Sequence, residues 1–191
     1  MKEKKQLVIG IDIDDTITDT TSMIKKCFKE SENDELINNM EDIIRGYYVS
    51  ESSVNFFKGL SKMFIDGIKI KKGVKEVIKK IHDDGHKIIF ITARNDNYFG
   101  DAYSICYEYL IKNGIVFDKL LIGSTYKIED CKKEKIDILI DDSCDIINNA
   151  LDNGIDGILV NSSLNIDKEC KANRFDDWYS IYNYIENKYN I

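Results

Sequence analysis

The sequence predicts an α/β fold: a Rossmann-like three-layer sandwich with a mainly parallel sheet and a small helical cap inserted after the first strand. Two patterns predict it. Short apolar runs without polar alternation, rich in β-branched residues, are typical of parallel strands covered on both faces. Segments with apolar residues at helical spacing lie between these runs, and strands that alternate with helices form βαβ units. The expected strands are residues 7–11, 88–91, 119–123, 138–140 and 158–160.

The first strand, "LVIGI" at 7–11, is followed by a long region with helical patterning only. This region, 18–72, is longer than an ordinary connection between two elements. We therefore expect a helical cap subdomain at 18–72 that lies over the carboxyl edge of the sheet. The core domain then consists of residues 1–17 and 73–191.

Amphipathic helices alternate with the remaining strands. Two of the helical patterns stop at Gly85 and Gly114, in agreement with the preference of helix C-termini for glycine. The apolar residues at helical spacing are, in chain order, Val74, Val77, Ile78 and Ile81; Tyr103, Cys106, Tyr107 and Leu110; Ile146, Ile147, Ala150 and Leu151; and Trp178, Ile181, Tyr182 and Ile185.

The composition is typical of a soluble globular protein, with 43% hydrophobic and 32% charged residues in a chain of 191. The formal net charge of −7 argues against a general nucleic-acid binder, which is normally basic. No stretch approaches the roughly 20 apolar residues that span a bilayer, and no cleavage site follows the short apolar run near the N-terminus. We expect a cytoplasmic protein with neither a nucleic-acid nor a membrane partner. The five cysteines lack CxxC spacing, which favours reduced thiols over zinc ligands.

Polar side chains stand where the expected strands end, and ligands of doubly wound sheets bind at the carboxyl ends of the strands. A lysine opens the helical segment "KIEDCKKEK" just before the strand at 138–140. In chain order these polar residues, with the alanine between two of them, are Asp12, Asp14, Asp15, Thr92, Ala93, Arg94, Lys127, Asp141 and Asp142.

Each of these features alone has a simpler interpretation, because acids cap turns and helices, threonine suits strands, and most lysines lie on the surface. Several carboxylates in one crevice, however, repel one another unless a cation neutralises them. An all-oxygen ligand set suits Mg²⁺ better than zinc or copper. The Thr92 hydroxyl, the amides of the loop after it and the Lys127 ammonium together can hold a phosphoryl group.

This combination resembles the haloacid dehalogenase superfamily of phosphohydrolases. The segment "IDIDDT" at 11–16 is similar to its first motif, and "IIFITAR" at 88–94 is similar to the second. Lys127 is the best candidate for the third motif, and "ILIDDSCD" at 138–145 is similar to the acidic fourth. The resemblance covers the core from Leu7 to about Val160.

The resemblance implies that Asp12 is the nucleophile, which attacks phosphorus and forms an aspartyl-phosphate. Asp14 would protonate the leaving oxygen and then activate the water that hydrolyses this intermediate. The implied cofactor is Mg²⁺, bound by the Asp12 carboxylate, the Asp14 carbonyl and an acid of the fourth motif, Asp142 in preference to Asp141. The implied phosphoryl ligands are Thr92, the Ala93 amide and Lys127.

Three points stay open in this assignment. Asp15 stands where the superfamily usually has glycine, and it is either an outer acid of the site or a cap for the next segment. Lys132 and Lys133 compete with Lys127 for the third motif, although Lys127 is favoured because it begins its helix. Arg94 either contacts a second anionic group of the substrate or is a surface arginine beside a loop.

The position of the expected cap matches the C1-type caps of the superfamily, which select small substrates and exclude water. The sequence looks closest to the bacterial 5'-nucleotidase branch related to 5'(3')-deoxyribonucleotidases. We therefore expect a small-molecule substrate, a nucleoside 5'-monophosphate, with residues 46–53 as the best candidate for stacking on its base. Phe56, Phe57 and Phe64 are expected in the cap's own core.

The alternative within this superfamily is a sugar-phosphate phosphatase or phosphomutase. A non-catalytic phospho-acceptor regulatory domain is disfavoured, because its lysine would follow the acidic residues, whereas Lys127 precedes the pair at 141–142. A catalytically silent phosphate-binding relative is disfavoured because both Asp12 and Asp14 are present. The oligomeric state is left open.

Overall fold

The protein is described by a computed structural model that covers residues 6–44 and 46–190. These residues form one sheet of six strands in the order β3-β2-β1-β4-β5-β6, in which every neighbouring pair is parallel. This confirms the predicted α/β fold. The strands are β1 (Val8–Ile11), β2 (Lys87–Ile91), β3 (Lys119–Leu121), β4 (Ile138–Asp141), β5 (Asp156–Val160) and β6 (Asn173–Phe175).

The same described ranges contain eleven helices. Five of them lie between β1 and the helix that precedes β2. They are α1 (Thr20–Glu30), α2 (Asp34–Asn38), α3 (Met40–Ile44), α4 (Glu51–Gly59), α5 (Ser61–Asp66), α6 (Val74–Asp83), α7 (Asp96–Phe99), α8 (Ala102–Lys112), α9 (Lys127–Glu134), α10 (Cys144–Asp152) and α11 (Trp178–Tyr189).

The sheet is apolar on both faces, which is why its strands show continuous apolar runs in the sequence. Along β2, Ile88 and Phe90 belong to one hydrophobic cluster, whereas Ile89 and Ile91 belong to a second. Successive side chains of a strand point to opposite faces, so the two clusters cover the two sides of the sheet. Because β1 lies between β2 and β4, the residues that follow it meet those that follow both neighbours.

Helices α1–α5 form the helical segment that the sequence predicts after the first strand. An antiparallel bridge between Thr18 and Ile70 joins the two ends of this segment. Helix α5 contacts α8, and α4 contacts α7. The rings of Phe57 and Phe64 lie 6.3 Å and 4.8 Å from that of Phe99 between centroids, so these two residues pack against α7 as well as within the segment. The limits 18–72 of a separate cap domain stay a prediction.

The structure corrects the expected buried face of α8. Tyr103 and Tyr107 are exposed, and their rings stack on each other with centroids 6.0 Å apart. Both the buried and the exposed face of this helix carry tyrosines, so apolar residues at i, i+3 and i+4 spacing occur on each face and do not show which one is buried. The buried face consists of Ala102, Ile105, Cys106, Tyr109 and Leu110.

The sixth strand was not predicted from the sequence. The segment Asn173–Phe175 has no apolar run that would indicate a strand, and it pairs with β5 at the edge of the sheet. All five cysteines lie in the described ranges and are free thiols, as expected. In the same ranges, no helix combines the length and the apolar character that crossing a bilayer requires.

The two faces of α8 give a first testable prediction. Tyr109 is buried, and its hydroxyl donates a hydrogen bond to the Ile68 carbonyl at 3.2 Å. Truncation of a buried aromatic residue lowers the free energy of unfolding by about 3–5 kcal/mol, so we expect that loss for Tyr109→Ala. The exposed Tyr107 serves as the control, and Tyr107→Ala should lose only the ring contacts, about 1 kcal/mol. Urea denaturation measures both values, and equal losses would contradict the described face of the helix.

Candidate active site

A cavity of about 510 Å³ lies at the carboxyl ends of the strands, between the sheet and the helical segment α1–α5. The structure brings all the candidate site residues to this one cavity, although they come from distant parts of the chain. Its lining includes Asp12, Asp14, Thr92, Ala93, Arg94, Lys127, Asp141 and Asp142.

Asp12 is the first residue after β1, and its backbone amide donates a hydrogen bond to the Ile140 carbonyl at 3.0 Å. This bond carries the pairing of β1 with β4 one residue further, so Asp12 lies beside Asp141. The buried Lys127 ammonium bridges the two carboxylates, at 2.7 Å from Asp12 Oδ1 and 2.6 Å from Asp141 Oδ2. A second oxygen of Asp141 accepts the Ser143 amide hydrogen at 2.8 Å. Asp141 is therefore engaged on both sides.

Lys127 is the lysine of the three candidates that enters the site. It begins α9 and is buried, whereas the Lys132 side chain is exposed and pairs with Glu129. Lys133 is exposed as well. Burial disfavours the charge of Lys127, but Asp12 and Asp141 outweigh this effect and raise its pKa. A permanent ammonium ion is thus fixed among the acids.

Burial raises the pKa of Asp12 to about 7; repulsion from Asp141 and Asp14 acts in the same direction, and Lys127 opposes it. Burial also raises the pKa of Asp142 well above its ordinary value, with further repulsion from Asp141 and Asp12. The lysine therefore neutralises only part of the acidic charge. A further cation at this place would stabilise both carboxylates.

Asp12, Asp141 and Asp142 each have a carboxylate oxygen within 4.8 Å of the others. Both oxygens of Asp141 accept short hydrogen bonds, from Lys127 and from the Ser143 amide. Among the residues that the structure describes, Asp12 Oδ2 has only the Thr16 hydroxyl at 3.4 Å. Asp12 and Asp142 are therefore the acids best placed for a metal ion. Oxygen donors at this spacing fit Mg²⁺.

Asp142 is held from the far side by the loop after β5. The Ser162 hydroxyl donates to Asp142 Oδ2 at 2.9 Å, and the Asn165 side-chain amide donates to the Asp142 carbonyl at 2.7 Å. Sequence reasoning missed these two residues. The rule that polar groups after a strand face the site would have found them, because "NSSLN" at 161–165 directly follows β5.

Asp14 forms a two-point ion pair with Arg94, which links Nε to Oδ2 at 2.8 Å and Nη2 to Oδ1 at 2.5 Å. The Thr20 hydroxyl also donates to Asp14 Oδ1, at 2.7 Å. Although burial favours the protonated acid, the Arg94 charge and these hydrogen bonds hold the pKa of Asp14 below its usual value. Arg94 itself is buried, so the interpretation as a surface arginine is wrong.

Thr92 and Ala93 follow β2 and line the cavity beside Asp12 and Lys127. The amide of Thr92 donates to the Leu121 carbonyl at 3.0 Å, which continues the pairing of β2 with β3 and fixes where the strand ends. Its buried hydroxyl accepts a hydrogen bond from the Arg94 amide at 3.2 Å. The Thr92 hydroxyl can still donate, so it is available to an anionic oxygen.

Asp15 has a positive φ of 54°, a left-handed conformation that glycine adopts most easily and aspartate tolerates. Its carboxylate accepts hydrogen bonds from the amide of Thr21, at 3.0 Å, and from the Thr21 hydroxyl. Thr21 lies in the first turn of α1, so these bonds support the interpretation of Asp15 as a cap for the next segment. The Asp15 carbonyl accepts a hydrogen bond from Lys71.

The wall of the cavity opposite the strand ends is largely apolar and comes from the helical segment. Of the region 46–53, Gly46, Tyr48 and Ser53 line the cavity, whereas Tyr47 does not and is exposed. Phe57 and Phe64 line it too, in addition to their packing role. The Tyr48 hydroxyl donates to Glu35 at 3.0 Å, which leaves its ring as the part that faces the cavity.

Comparison with protein-family models and with curated proteins finds no match. Solved structures with the same fold do exist. A candidate β-phosphoglucomutase from Thermotoga maritima superimposes with a TM-score of 0.67 at 16% identity, over 95% of this chain and 99% of that chain. A predicted phosphatase from Clostridium acetobutylicum gives 0.65 at 15% identity, over 95% and 99% of the two chains.

A haloacid dehalogenase-like family protein from Streptococcus pneumoniae gives a TM-score of 0.64 at 12% identity, over 94% of this chain and 98% of that chain. The nearly complete coverage in both directions means that the helical segment and the core are matched together. The chain therefore has the fold of proteins described as haloacid dehalogenase-like hydrolases.

Proposed function

We propose that the protein is a phosphatase that hydrolyses a small phosphomonoester through an aspartyl-phosphate on Asp12. The observation that carries this proposal is the position of Asp12: it ends the central strand, lies 2.7 Å from the Lys127 ammonium and borders the cavity beside Asp142. A carboxylate can attack phosphorus only where cations reduce the repulsion between two anions, and this site provides such a place.

In the first step, a carboxylate oxygen of Asp12 forms a bond to phosphorus while the bond from phosphorus to the ester oxygen breaks. The leaving oxygen takes a proton from the Asp14 carboxyl group, which must first bind that proton because, despite its burial, the Arg94 ion pair holds its pKa below the usual value. In the second step, a water oxygen attacks the same phosphorus, Asp14 accepts a proton from that water, and the bond to Asp12 breaks. Lys127, the Thr92 hydroxyl and the Ala93 amide hold the phosphoryl oxygens through both steps.

Mg²⁺ is the proposed cofactor, with Asp12, Asp142 and the Asp14 carbonyl as its protein ligands. When bound, it supplies positive charge that stabilises the phosphoryl oxygens and keeps the acids ionised. The carboxylate oxygens of Asp12 and Asp142, within 4.8 Å of each other, support this choice.

Two substrate classes compete for the cavity. A nucleoside 5'-monophosphate, the class expected from the sequence, is supported by the Tyr48 ring and the aromatic wall. A sugar phosphate, the alternative, is supported by the similarity to a candidate β-phosphoglucomutase. The comparisons give more support to the alternative, because seven of the similar structures are described as phosphatases, hydrolases or a phosphomutase, and none of these seven as a nucleotidase.

The phosphatase proposal predicts that Asp12→Asn abolishes turnover, because the amide is no nucleophile toward phosphorus. We expect a loss of at least about 10³-fold, as for other removed nucleophiles. Phosphate release from p-nitrophenyl phosphate, nucleoside monophosphates and hexose phosphates measures it, with Asp145→Asn as the control, an exposed acid of the same acidic stretch. Full activity of Asp12→Asn would overturn the proposal, and release from hexose phosphates alone would select the sugar-phosphate class.

The proposed metal site predicts that Asp142→Asn raises the melting temperature in the absence of Mg²⁺ but removes most of the stabilisation that Mg²⁺ gives. The pKa of Asp142 is raised in the folded protein, so its ionised form destabilises the fold as the pH rises through that pKa. At pH 8 without metal, the variant should melt about 2–4 °C above the parent, the shift that ~1 kcal/mol gives in a chain of this size. This gain should shrink at lower pH, where Asp142 is protonated.

Added Mg²⁺ should raise the melting temperature of the parent and of Asp145→Asn, but hardly that of Asp142→Asn. Differential scanning fluorimetry with and without millimolar MgCl₂ gives all of these values. A variant that is stabilised by Mg²⁺ as strongly as the parent would remove Asp142 from the ligand set.

A further inference from the structure

We propose that Arg94 is a positioning residue for Asp14 and not a ligand of the substrate. This inference rests on the proposed function, because it assigns Arg94 a task in the reaction that Asp14 assists. It replaces both alternatives that the sequence left open for Arg94, a surface arginine and a contact to a second anionic group of the substrate.

Each nitrogen atom of the Arg94 guanidinium contacts another residue, although Nη1 and Nη2 carry further hydrogens. Its Nε and Nη2 both donate to the Asp14 carboxylate, and Nη1 lies 3.7 Å from the Cys106 sulfur. The Arg94 side chain is only 2% exposed. Arg94 also lines the cavity, but a substrate anion that took its Nε and Nη2 donors would displace Asp14 from them.

The planar group is also held by aromatic rings. The guanidinium carbon lies 4.8 Å from the ring centroid of Phe64 and 5.4 Å from that of Phe99. Arginine binds a carboxylate through two parallel hydrogen bonds, which fix direction as well as distance. Arg94 therefore has the geometry of a rigid support rather than of a mobile substrate contact.

Asp14 remains accessible on its other side. Its side chain is 34% exposed and lines the cavity, although three donors hold it: Nε and Nη2 of Arg94 and the Thr20 hydroxyl. A carboxyl group that transfers protons must be placed within hydrogen-bond reach of the reacting oxygen, and small displacements of such groups lower rates strongly. The ion pair restricts Asp14 to one side of the cavity, near Asp12.

The support reaches across both parts of the molecule. Arg94 follows β2 of the sheet, whereas Phe64 and Thr20 belong to helices α5 and α1 of the helical segment. Asp14 is consequently placed by groups from the sheet and from the segment at the same time. A lysine in place of Arg94 would keep the charge but lose the two-point contact and the flat face.

The test is the kinetics of Arg94→Lys and Arg94→Gln with p-nitrophenyl phosphate and Mg²⁺. A positioning role predicts that kcat falls about 10- to 100-fold, as for displaced proton-transfer groups, while KM stays within about threefold because substrate binding is unchanged. A substrate-binding role predicts the reverse, a large rise of KM with little change in kcat, and this result would overturn the proposal.

A double-mutant cycle with Asp14→Asn separates positioning from general structural damage. The leaving group of p-nitrophenyl phosphate departs without a proton, so with this substrate Asp14 acts only in the attack of water, and turnover by Asp14→Asn should stay measurable. If Arg94 acts through Asp14, Arg94→Lys should lower kcat no further in the Asp14→Asn background. Additive losses would contradict the proposal. If neither Arg94 variant folds, Arg94 is an element of stability and the proposal fails.

Lys112→Met is the matched control, because Lys112 of α8 also pairs a cation with an acid of the segment, Asp66 of α5, but outside the cavity. We expect its kcat and KM to equal those of the parent. The two proposals fail separately: activity that survives Asp12→Asn overturns the function, whereas a pure KM effect of Arg94→Lys overturns only the role of Arg94.

Discussion

The site depends on the balance between the carboxylates that the strand ends bring together and the cations that reach them. Five carboxylates and three cations interact there, which leaves an excess of two negative charges among these groups. A divalent ion would neutralise that excess. Burial is the main cause of the raised pKa values of Asp12 and Asp142, and repulsion from the neighbouring acids adds to it. The groups are Asp12, Asp14, Asp15, Asp141 and Asp142, with Lys71, Lys127 and Arg94.

The parallel sheet concentrates these charges by its topology. All strands point in one direction, so whatever follows β1, β2, β4 and β5 arrives at one edge. The position of each cation in the fold decides which acid it contacts. Lys127 is the first residue of α9, and Arg94 lies three residues after the end of β2. Lys71 lies just after the bridge that closes the helical segment, where it contacts the Asp15 carbonyl. Connectivity, and not local composition, decides which charges are paired.

The sequence alone predicted five of the six strands, the helical segment and the polar residues at the strand ends that line the cavity, because strand periodicity and the strand-end rule decide which residues share an edge. It did not predict that Arg94 pairs with Asp14, since the two lie 80 positions apart and edge placement says nothing about side-chain pairing. Strand β6 was not predicted because its sequence, "NRF" at 173–175, has no apolar pattern. The exposed side of α8 was misassigned because Tyr103 and Tyr107 are apolar enough to pass for core residues.

Asp14 is the residue at which the two parts of the molecule meet. It follows β1 two residues beyond Asp12, and Asp15 then turns the chain into the segment through its left-handed conformation. Two residues of the segment contact this pair: the Thr20 hydroxyl donates a hydrogen bond to Asp14, and the Phe64 ring packs against the Arg94 guanidinium. The same packing that closes an apolar wall over the cavity thereby orients the acid inside it. The apolar wall of the cavity and the orientation of Asp14 therefore depend on one set of contacts, and a change that loosens the segment should affect both together.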